Sequence, residues 1–392
     1  MKLPLLSIVI PTRNRYLYLK SCLMSLRSVY NNSDVEIIIT DNSSPKEDLN
    51  PLLNTFSNIK YAYTNKPISQ VENFESALSM VTGKYVTMIG DDDGLCGVLL
   101  DVVQYMEQNG IDSLNAPFVT YYWPDLVSKS SSNNFSGKIF FKTYSYSTSR
   151  IEASTEITKC LNLGTTSLCN LPRMYYGIIR KDVLNRVKSL TGEYFPGPSP
   201  DMANAFSAAM FVNKFVYFDA PLFIAGNSAK SAAGMGLAGK HVGVIKGNPQ
   251  LPKNCHSQWT QLVPKYWSGP TIWAESAAQV MLKSKRNDLK NRINYLRLYA
   301  SCLVFNPEYK VRTEEAIARY TKEKGGSIGL KIKVEILNVW ILRFKFLAKN
   351  ILNNYSLLSK SKVYEIRDIK EAAAMLMEYE ADIKKALVDG QK

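Results

Sequence analysis

Residues 5–10 form an almost unbroken apolar run rich in β-branched side chains and closed by Pro11. Such a run predicts a strand buried on both faces. Residues 15–29 then carry Leu17, Leu19, Leu23, Leu26 and Val29 at roughly helical spacing. The alternation continues with a second buried strand, 35–40, closed by the turn cluster Asp41-Asn42-Ser43-Ser44-Pro45. A helix over 48–56, a strand over 59–63 and a helix over 71–81 follow, the last with Phe74, Ala77, Leu78 and Val81 on one stripe. A fourth strand, 84–89, stops at Gly90. This order predicts an α/β fold: a parallel sheet with crossover helices. Ligands of such sheets bind outside the carboxyl ends of the strands. The residues placed there are Thr12-Arg13-Asn14, Asp41-Asn42-Ser43, Asn65-Lys66 and Asp91-Asp92-Asp93, four polar loops at one edge.

The middle of the chain, 113–227, mixes β-rich runs (139–146, 215–218) with a helical one (202–211). Residues 227–247 are rich in Gly, Ala and Ser, a composition that suits a mobile loop. From Pro264 onward helical patterns dominate, over 272–283, 289–305 and 313–323, with Gly325-Gly326-Ser327 as a linker before further helices at 328–354 and 366–387. The expected organisation is a domain over 1–225, with halves 1–112 and 113–225, then a Gly-rich loop and helical region over 226–325. A basic amphipathic helical region over 326–392 completes the chain.

The 392-residue chain carries a formal charge of +14, unevenly spread. Between Thr321 and Lys370 there are eleven Lys or Arg against four Asp or Glu. A basic tail suggests an anionic partner: membrane lipid, a lipid diphosphate or nucleic acid; a solvated basic helix is the plainer reading. In the 328–354 helix, Lys331, Glu335, Asn338, Lys345, Lys349 and Asn353 share one side, while Ile332, Ile336, Val339, Trp340, Phe344, Phe346, Leu347 and Ile351 fill much of the rest. That pattern fits either a helix lying in a membrane interface or one packed on the preceding domain. Six scattered cysteines without a CxxC pair, and only two histidines, speak against a zinc finger and fit a reducing compartment. No apolar stretch of spanning length is present, so the expected location is cytoplasmic, on the inner face of the membrane.

Gly90-Asp91-Asp92-Asp93-Gly94 is the sharpest local signal. Three adjacent carboxylates at a strand end repel one another, and a divalent cation resolves the conflict. Mg²⁺ or Mn²⁺ suits carboxylates that share the metal with a substrate's phosphates. A solvated acidic turn is the alternative, and the position at the ligand edge argues against it.

Three segments together resemble the family 2 glycosyltransferases. Leu6-Ser7-Ile8-Val9-Ile10-Pro11-Thr12-Arg13-Asn14-Arg15 is similar to the family's opening strand. Glu36-Ile37-Ile38-Ile39-Thr40-Asp41-Asn42-Ser43-Ser44 resembles its second strand and nucleotide-binding Asp. Gly83 to Asp93 resembles the segment that ends in its acidic metal motif. The resemblance covers about residues 4–100, weakens through about 225 and stops there. It implies a GT-A fold, a Rossmann-like mixed sheet with crossover helices, here with a mostly helical C-terminal extension. It also implies a nucleoside-diphosphate sugar donor and inversion at the anomeric carbon. In that picture Pro11, Thr12, Arg13 and Asn14 line the nucleoside pocket and Asp41 contacts the base. Asp91 and Asp92 lie near ribose and diphosphate, and Asp93 is the direct metal ligand. The family's Gly and Arg-Asn pair before the third helix is replaced by Asn65-Lys66-Pro67-Ile68-Ser69-Gln70-Val71-Glu72-Asn73, in which Asn73 can take the Asn role and the Arg is missing.

Sugar transfer to a hydroxyl needs a general base. Asp201, after Gly197-Pro198-Ser199-Pro200 and at the start of a helical run, is the candidate; a helix N-cap is the competing role, and Glu193 is the reserve. His241, after the Gly-rich loop, is a candidate third metal ligand or a plain surface residue. Arg173, in Leu171-Pro172-Arg173-Met174-Tyr175-Tyr176, suits acceptor contact or ordinary packing.

The function expected from all this is metal-dependent, inverting transfer from a nucleoside-diphosphate sugar to a hydroxyl of a glycan or lipid-diphosphate-linked acceptor, in bacterial surface polysaccharide synthesis. A sugar-phosphate nucleotidyltransferase is the alternative, but it wants a Gly-rich loop after strand one, and Pro11-Thr12-Arg13-Asn14 has no glycine. A non-catalytic basic membrane- or nucleic-acid-binding protein would leave the acidic triplet unexplained, and nucleic acid is not an expected partner.

Overall fold

The computed structural model describes residues 3–126, 135–231, 234, 242–325, 328–360 and 362–390. The predicted alternation forms the centre of the fold. β1 (Leu6–Thr12), β2 (Val35–Asp41), β3 (Ile59–Tyr63) and β4 (Tyr85–Met88) lie side by side in parallel, in the order β3-β2-β1-β4. β5 (Gly94–Leu95) leaves this sheet, and β6 (Ser113–Asn115), β7 (Phe118–Tyr122), β8 (Lys138–Phe141), β9 (Thr148–Ile151), β10 (Gly177–Arg180), β11 (Phe215–Phe218) and β12 (Phe223–Asn227) follow. Antiparallel β10 joins β4, and β6, β11 and β9 extend the sheet to eight strands. A second, five-stranded sheet has the order β13-β8-β7-β12-β5, where β13 is Lys362–Glu365.

Side chains that alternate along a strand point to opposite faces, and the central strands use both. Ile8, Ile10, Ile37 and Ile39 enter one core. Val9, Ile38, Val86 and Met88 enter the other. Helices Tyr16–Tyr30 and Leu99–Gln108 cover the first face. Helices Gln70–Ser79, Ala153–Asn162, Lys181–Thr191, Pro200–Ala209, Gly269–Lys283 and Tyr295–Phe305 cover the second. In the first helix the buried stripe is Tyr16, Leu19, Cys22, Leu23, Leu26 and Tyr30, whereas Leu17 and Val29 are exposed. The predicted helix over 289–305 is two pieces, Asn287–Lys290 and Tyr295–Phe305. Of the β-rich run 139–146, only the stretch to Phe141 is strand.

The region expected as one C-terminal extension behaves as two parts. Helix Gly329–Lys360 packs along helix Tyr295–Phe305, with Glu335 accepting from Asn294 (3.0 Å) and Arg297 (3.2 Å). The chain then returns to the first 225 residues. β13 pairs with β8, and Ile369, Ala372, Leu376, Ile383 and Leu387 complete the first core. Short amphipathic helices (Ile369–Met375, Met377–Asp389) hide this role in the sequence, because their buried faces meet helices Tyr16–Tyr30 and Leu99–Gln108 far away in the chain.

Candidate active site

Asn14 turns the chain from β1 into its helix with a positive φ of 58°, a conformation Asn tolerates. Its amide donates to Ser43 Oγ (2.6 Å) and its Oδ1 accepts from the Ser44 amide (2.7 Å). These bonds clamp the loops after β1 and β2 together. Asp41, the last residue of β2, is fully buried. Its Oδ2 accepts from the Tyr16 and Tyr61 hydroxyls (2.7 and 2.8 Å) and its Oδ1 from the Ser43 amide (2.8 Å). The expected base contact is thus held by internal partners, and its neighbour Asn42 faces the adjoining cavity. Ser69 and Glu72 form a capping box that fixes helix Gln70–Ser79. That helix delivers Asn73, whose Nδ2 reaches Thr12 O (3.4 Å), Thr40 O (3.3 Å) and Asn42 Oδ1 (3.3 Å).

The three acids after β4 go to three different places. Asp91 faces the cavity; its Oδ2 accepts from Thr12 Oγ1 (2.6 Å). Its buried Oδ1 has no hydrogen-bond donor and lies 3.0 Å from Arg15. Asp92 pairs with Arg15 through Oδ1 (2.6 Å) and accepts from Ser228 Oγ through Oδ2 (2.6 Å). Asp93 is turned inward and fully buried. Its Oδ1 accepts from the Gly226 amide (2.7 Å) and Tyr176 hydroxyl (2.8 Å), and its Oδ2 from the Gly90 amide (2.6 Å) and Tyr175 hydroxyl (3.1 Å). Gly226 is required for this approach, since a Cβ there would sit 1.8 Å from Asp92 O. Burial raises the Asp91 and Asp93 carboxyls above the usual range; Asp92 adds to both, and Arg15 opposes it at Asp91. Burial works against the Arg15 charge, but Asp91 and Asp92 more than restore it.

The cavity at these strand ends has a volume of about 460 Å³. Pro11, Thr12, Arg13, Asn42, Asn73 and Asp91 line one side, and Asp201, Lys230, Trp267 and Trp273 are on its other walls. Asp201 is the second residue of helix Pro200–Ala209, after the cap position Ser199, so it does not serve as the N-cap. Among the described residues nothing hydrogen-bonds or ion-pairs with its carboxylate. Burial holds this carboxyl above the ordinary aspartate value, with Arg173 pulling the other way. Glu193, the reserve candidate, is ion-paired with Lys283 (2.7 Å). Asp201 also borders a second cavity of about 220 Å³, whose walls include Arg173, Tyr175 and Tyr176.

The structure therefore gathers Pro11, Thr12, Arg13, Asn73, Asp91 and Asp201 around one space. Asn14, Asp41 and Asp92 brace it from behind. Asp93, expected as the direct metal ligand, has both of its oxygens engaged by protein donors and is not among the residues that line the cavity. His241 lies outside the described residues. No group of three or more His, Cys, Asp or Glu side chains that could hold a metal occurs among the described residues. Of the three acids only Asp91 lines the cavity, with its Oδ1 ion-paired to Arg15; magnesium-type ions often take one or two carboxylates and complete their shell with substrate phosphates. Sequence reasoning missed Arg15. It stands in the opening motif, yet only the fold reveals that the first helix turn sets its guanidinium against two acids that lie some 75 positions on.

A family model described as Glycosyl transferase family 2 matches residues 7–162. Those residues are a family 2 glycosyltransferase domain. The mixed sheet with its helical C-terminal region is the GT-A type of fold that the sequence resemblance implied, and residues 7–162 carry the glycosyltransferase domain. No curated protein matches the chain. Among solved structures it is similar to S. aureus TarS 1-349 in complex with UDP-GlcNAc, at 14% identity over 82% of this chain and 92% of that one, with a TM-score of 0.45. It is also similar to S. aureus TarS at 15% identity, TM-score 0.43, over 80% of this chain and 54% of that one; the chain spans about half the length of that protein. A third likeness is to the mannosyltransferase PcManGT from Pyrobaculum calidifontis in complex with GDP-Man and Mn2+ (13% identity, 83% and 88% coverage, TM-score 0.37). None of these three decides the donor, metal or acceptor of this chain.

Proposed function

We propose that the glycosyltransferase transfers a sugar from a nucleoside-diphosphate sugar to an acceptor hydroxyl, with inversion, and that Asp201 is the general base. The observation that carries this reading is the unpaired, half-buried Asp201 carboxylate on the wall of a cavity that Thr12, Asn73 and Asp91 also line. The nucleoside lies along Pro11, Thr12, Arg13 and Asn42, and the diphosphate lies toward Asp91. Asp91 would hold Mn²⁺ or Mg²⁺, which would supply neutralising charge for the leaving diphosphate. Arg15, ion-paired with both Asp91 and Asp92, offsets part of the cost of gathering their negative charge there. Asp201 accepts the proton of the acceptor hydroxyl; the hydroxyl oxygen bonds to the anomeric carbon from the face opposite the diphosphate, and the anomeric carbon–oxygen bond to the diphosphate breaks. Measuring nucleoside diphosphate release from a panel of nucleotide sugars tests this. Asp201→Asn lowers turnover by about 10²-fold or more with donor affinity retained; near-normal turnover in that variant would exclude Asp201 as base.

We also propose that the protein works at the inner face of a bacterial membrane, on lipid-diphosphate-linked glycans of surface polysaccharide. The support is helix Gly329–Lys360, which exposes Leu330, Val334, Leu337, Ile341 and Phe344 at heptad-like spacing beside Lys331, Lys333, Arg343 and Lys345. A contiguous apolar face flanked by basic residues suits anionic lipid. No helix among the described residues is long and apolar enough to cross a membrane. Co-sedimentation with vesicles containing phosphatidylglycerol reads the contact: Leu337→Glu with Phe344→Glu abolishes it, and unchanged sedimentation would reject it.

A further inference from the structure

The second cavity, behind Asp201, contains polar groups that nothing in the protein satisfies. Arg173 makes no hydrogen bond or ion pair among the described residues, and its Nε is buried without an acceptor. Asn204 is 3% exposed. Its Oδ1 accepts from the Met174 amide (3.1 Å), while its buried Nδ2 has no partner. Asn204 stands three residues after Asp201 on the same helix, so the two share a face. Arg173 and Asp201 influence each other's charge across the chamber without touching. Unpaired buried donors and charges are costly, and a ligand that reaches them removes the cost.

The remaining walls are apolar and aromatic, among them Phe74, Phe118, Tyr175, Tyr176 and Phe195. Tyr175 and Tyr176 meet edge to face (4.5 Å between ring centres), and Phe118 lies 5.2 Å from Tyr176. Asp93 accepts from both tyrosine hydroxyls, so that buried acid fixes two aromatic walls of the chamber. Rings stacked around a few convergent donors suit the C–H faces and oxygen edges of a sugar. The charges present, Arg173 and Asp201, already balance. An anionic ligand would upset that balance and hold a proton on Asp201.

We propose that this chamber receives one neutral pyranose ring of the acceptor, with a hydroxyl donating to Asp201 and a neighbouring sugar oxygen accepting from Arg173 Nε and Asn204 Nδ2. The inference rests on the transferase reading and adds the acceptor's class and two positioning residues. Asp201 borders both cavities, so the hydroxyl it holds lies on the donor side of the chamber.

Saturation-transfer NMR on the full chain tests it, with saturating UDP or GDP present and again without nucleotide. The probes are methyl glycosides of glucose, galactose, mannose and N-acetylglucosamine, set against methyl glucuronoside. At least one neutral glycoside binds, and Arg173→Met and Asn204→Ala each weaken it about tenfold or more with nucleotide affinity unchanged. Arg173→Met also keeps or raises the melting temperature, because an unpaired buried charge is removed. Binding of the glucuronoside alone, absence of any glycoside signal, or wild-type glycoside affinity in both variants would overturn the proposal. So would a melting temperature that falls in Arg173→Met while glycoside binding stays intact, since the guanidinium would then be structural. If neither nucleotide binds the wild-type chain, the donor reading fails instead, and the nucleotide-free arm still decides the chamber.

Discussion

Replacing Asp93 separates the two roles an acid in this motif can have. Its carboxylate accepts from the Gly226 and Gly90 amides and the Tyr175 and Tyr176 hydroxyls. In Asp93→Ala the hydroxyls can turn elsewhere, but the two backbone amides cannot. Each buried donor left unpaired costs about 1–3 kcal/mol, so the amides alone cost about 4 kcal/mol. A chain of 392 residues has an unfolding entropy of about 0.8 kcal/mol/K if it melts as one unit. The melting temperature should therefore fall by about 5 °C with no metal present. Asp93→Asn keeps the shape but turns one acceptor into a donor that faces an amide and a tyrosine, so it too destabilises the metal-free protein. Scanning calorimetry in EDTA and in Mn²⁺ with a nucleoside diphosphate gives both quantities. An unchanged metal-free melting temperature together with loss of the Mn²⁺-dependent rise, the signature of a direct ligand, would refute the bracing role.

Asp201 should give the acid limb of the pH–rate profile. A general base works deprotonated, and burial raises this carboxyl, so activity climbs with pH through a midpoint above the ordinary aspartate value; a profile flat down to pH 4 would contradict the assignment. Glu36 links pH to stability. Burial would raise its carboxyl, but donors from Lys60, Ser7 and Thr82 bring it down to about 2 from 4.5. Its stabilisation is thus complete above pH ~4.5 and is lost as pH falls toward 2, and Glu36→Gln, probed by urea unfolding at pH 7, costs about 3 kcal/mol. Deleting residues 362–392 removes Ile369, Leu376 and Ile383 from the first core. At about 1.5–3 kcal/mol per side chain this truncation unfolds or aggregates the protein, which circular dichroism detects directly.

The first hundred residues were legible because their signals are local. Strand runs buried on both faces, turn clusters and the Gly-flanked acids each sit within a few positions of the chemistry they mark, and the ligand edge follows from the parallel order alone. Thr12, Asn73, Asp91 and Asp201 line one cavity. The placements that the sequence did not show are those whose deciding partner is remote. Whether an Asp in the triplet faces the cavity depends on Arg15, Gly226, Tyr175 and Tyr176, and nothing in Gly90–Gly94 distinguishes Asp91 from Asp93. Asp41 likewise meets Tyr16 and Tyr61 only after β2 pairs with β3. The return of 362–390 to the first core was hidden because two short amphipathic helices look the same whether their apolar face meets a membrane, a neighbouring helix or a distant sheet.

Binding of a nucleoside-diphosphate sugar in the cavity beside Asp91 is tested most directly by thermal unfolding with UDP-, GDP-, CMP- and dTDP-sugars, with and without Mn²⁺. Wild type and Asp91→Asn are compared side by side. A ligand present at 100 times its Kd adds about 2.7 kcal/mol, a rise of about 3 °C for a chain of this size. That rise is expected for one nucleotide class, strengthened by Mn²⁺ in wild type and absent in Asp91→Asn. No rise with any nucleotide sugar, or an equal rise in Asp91→Asn, would contradict the assignment.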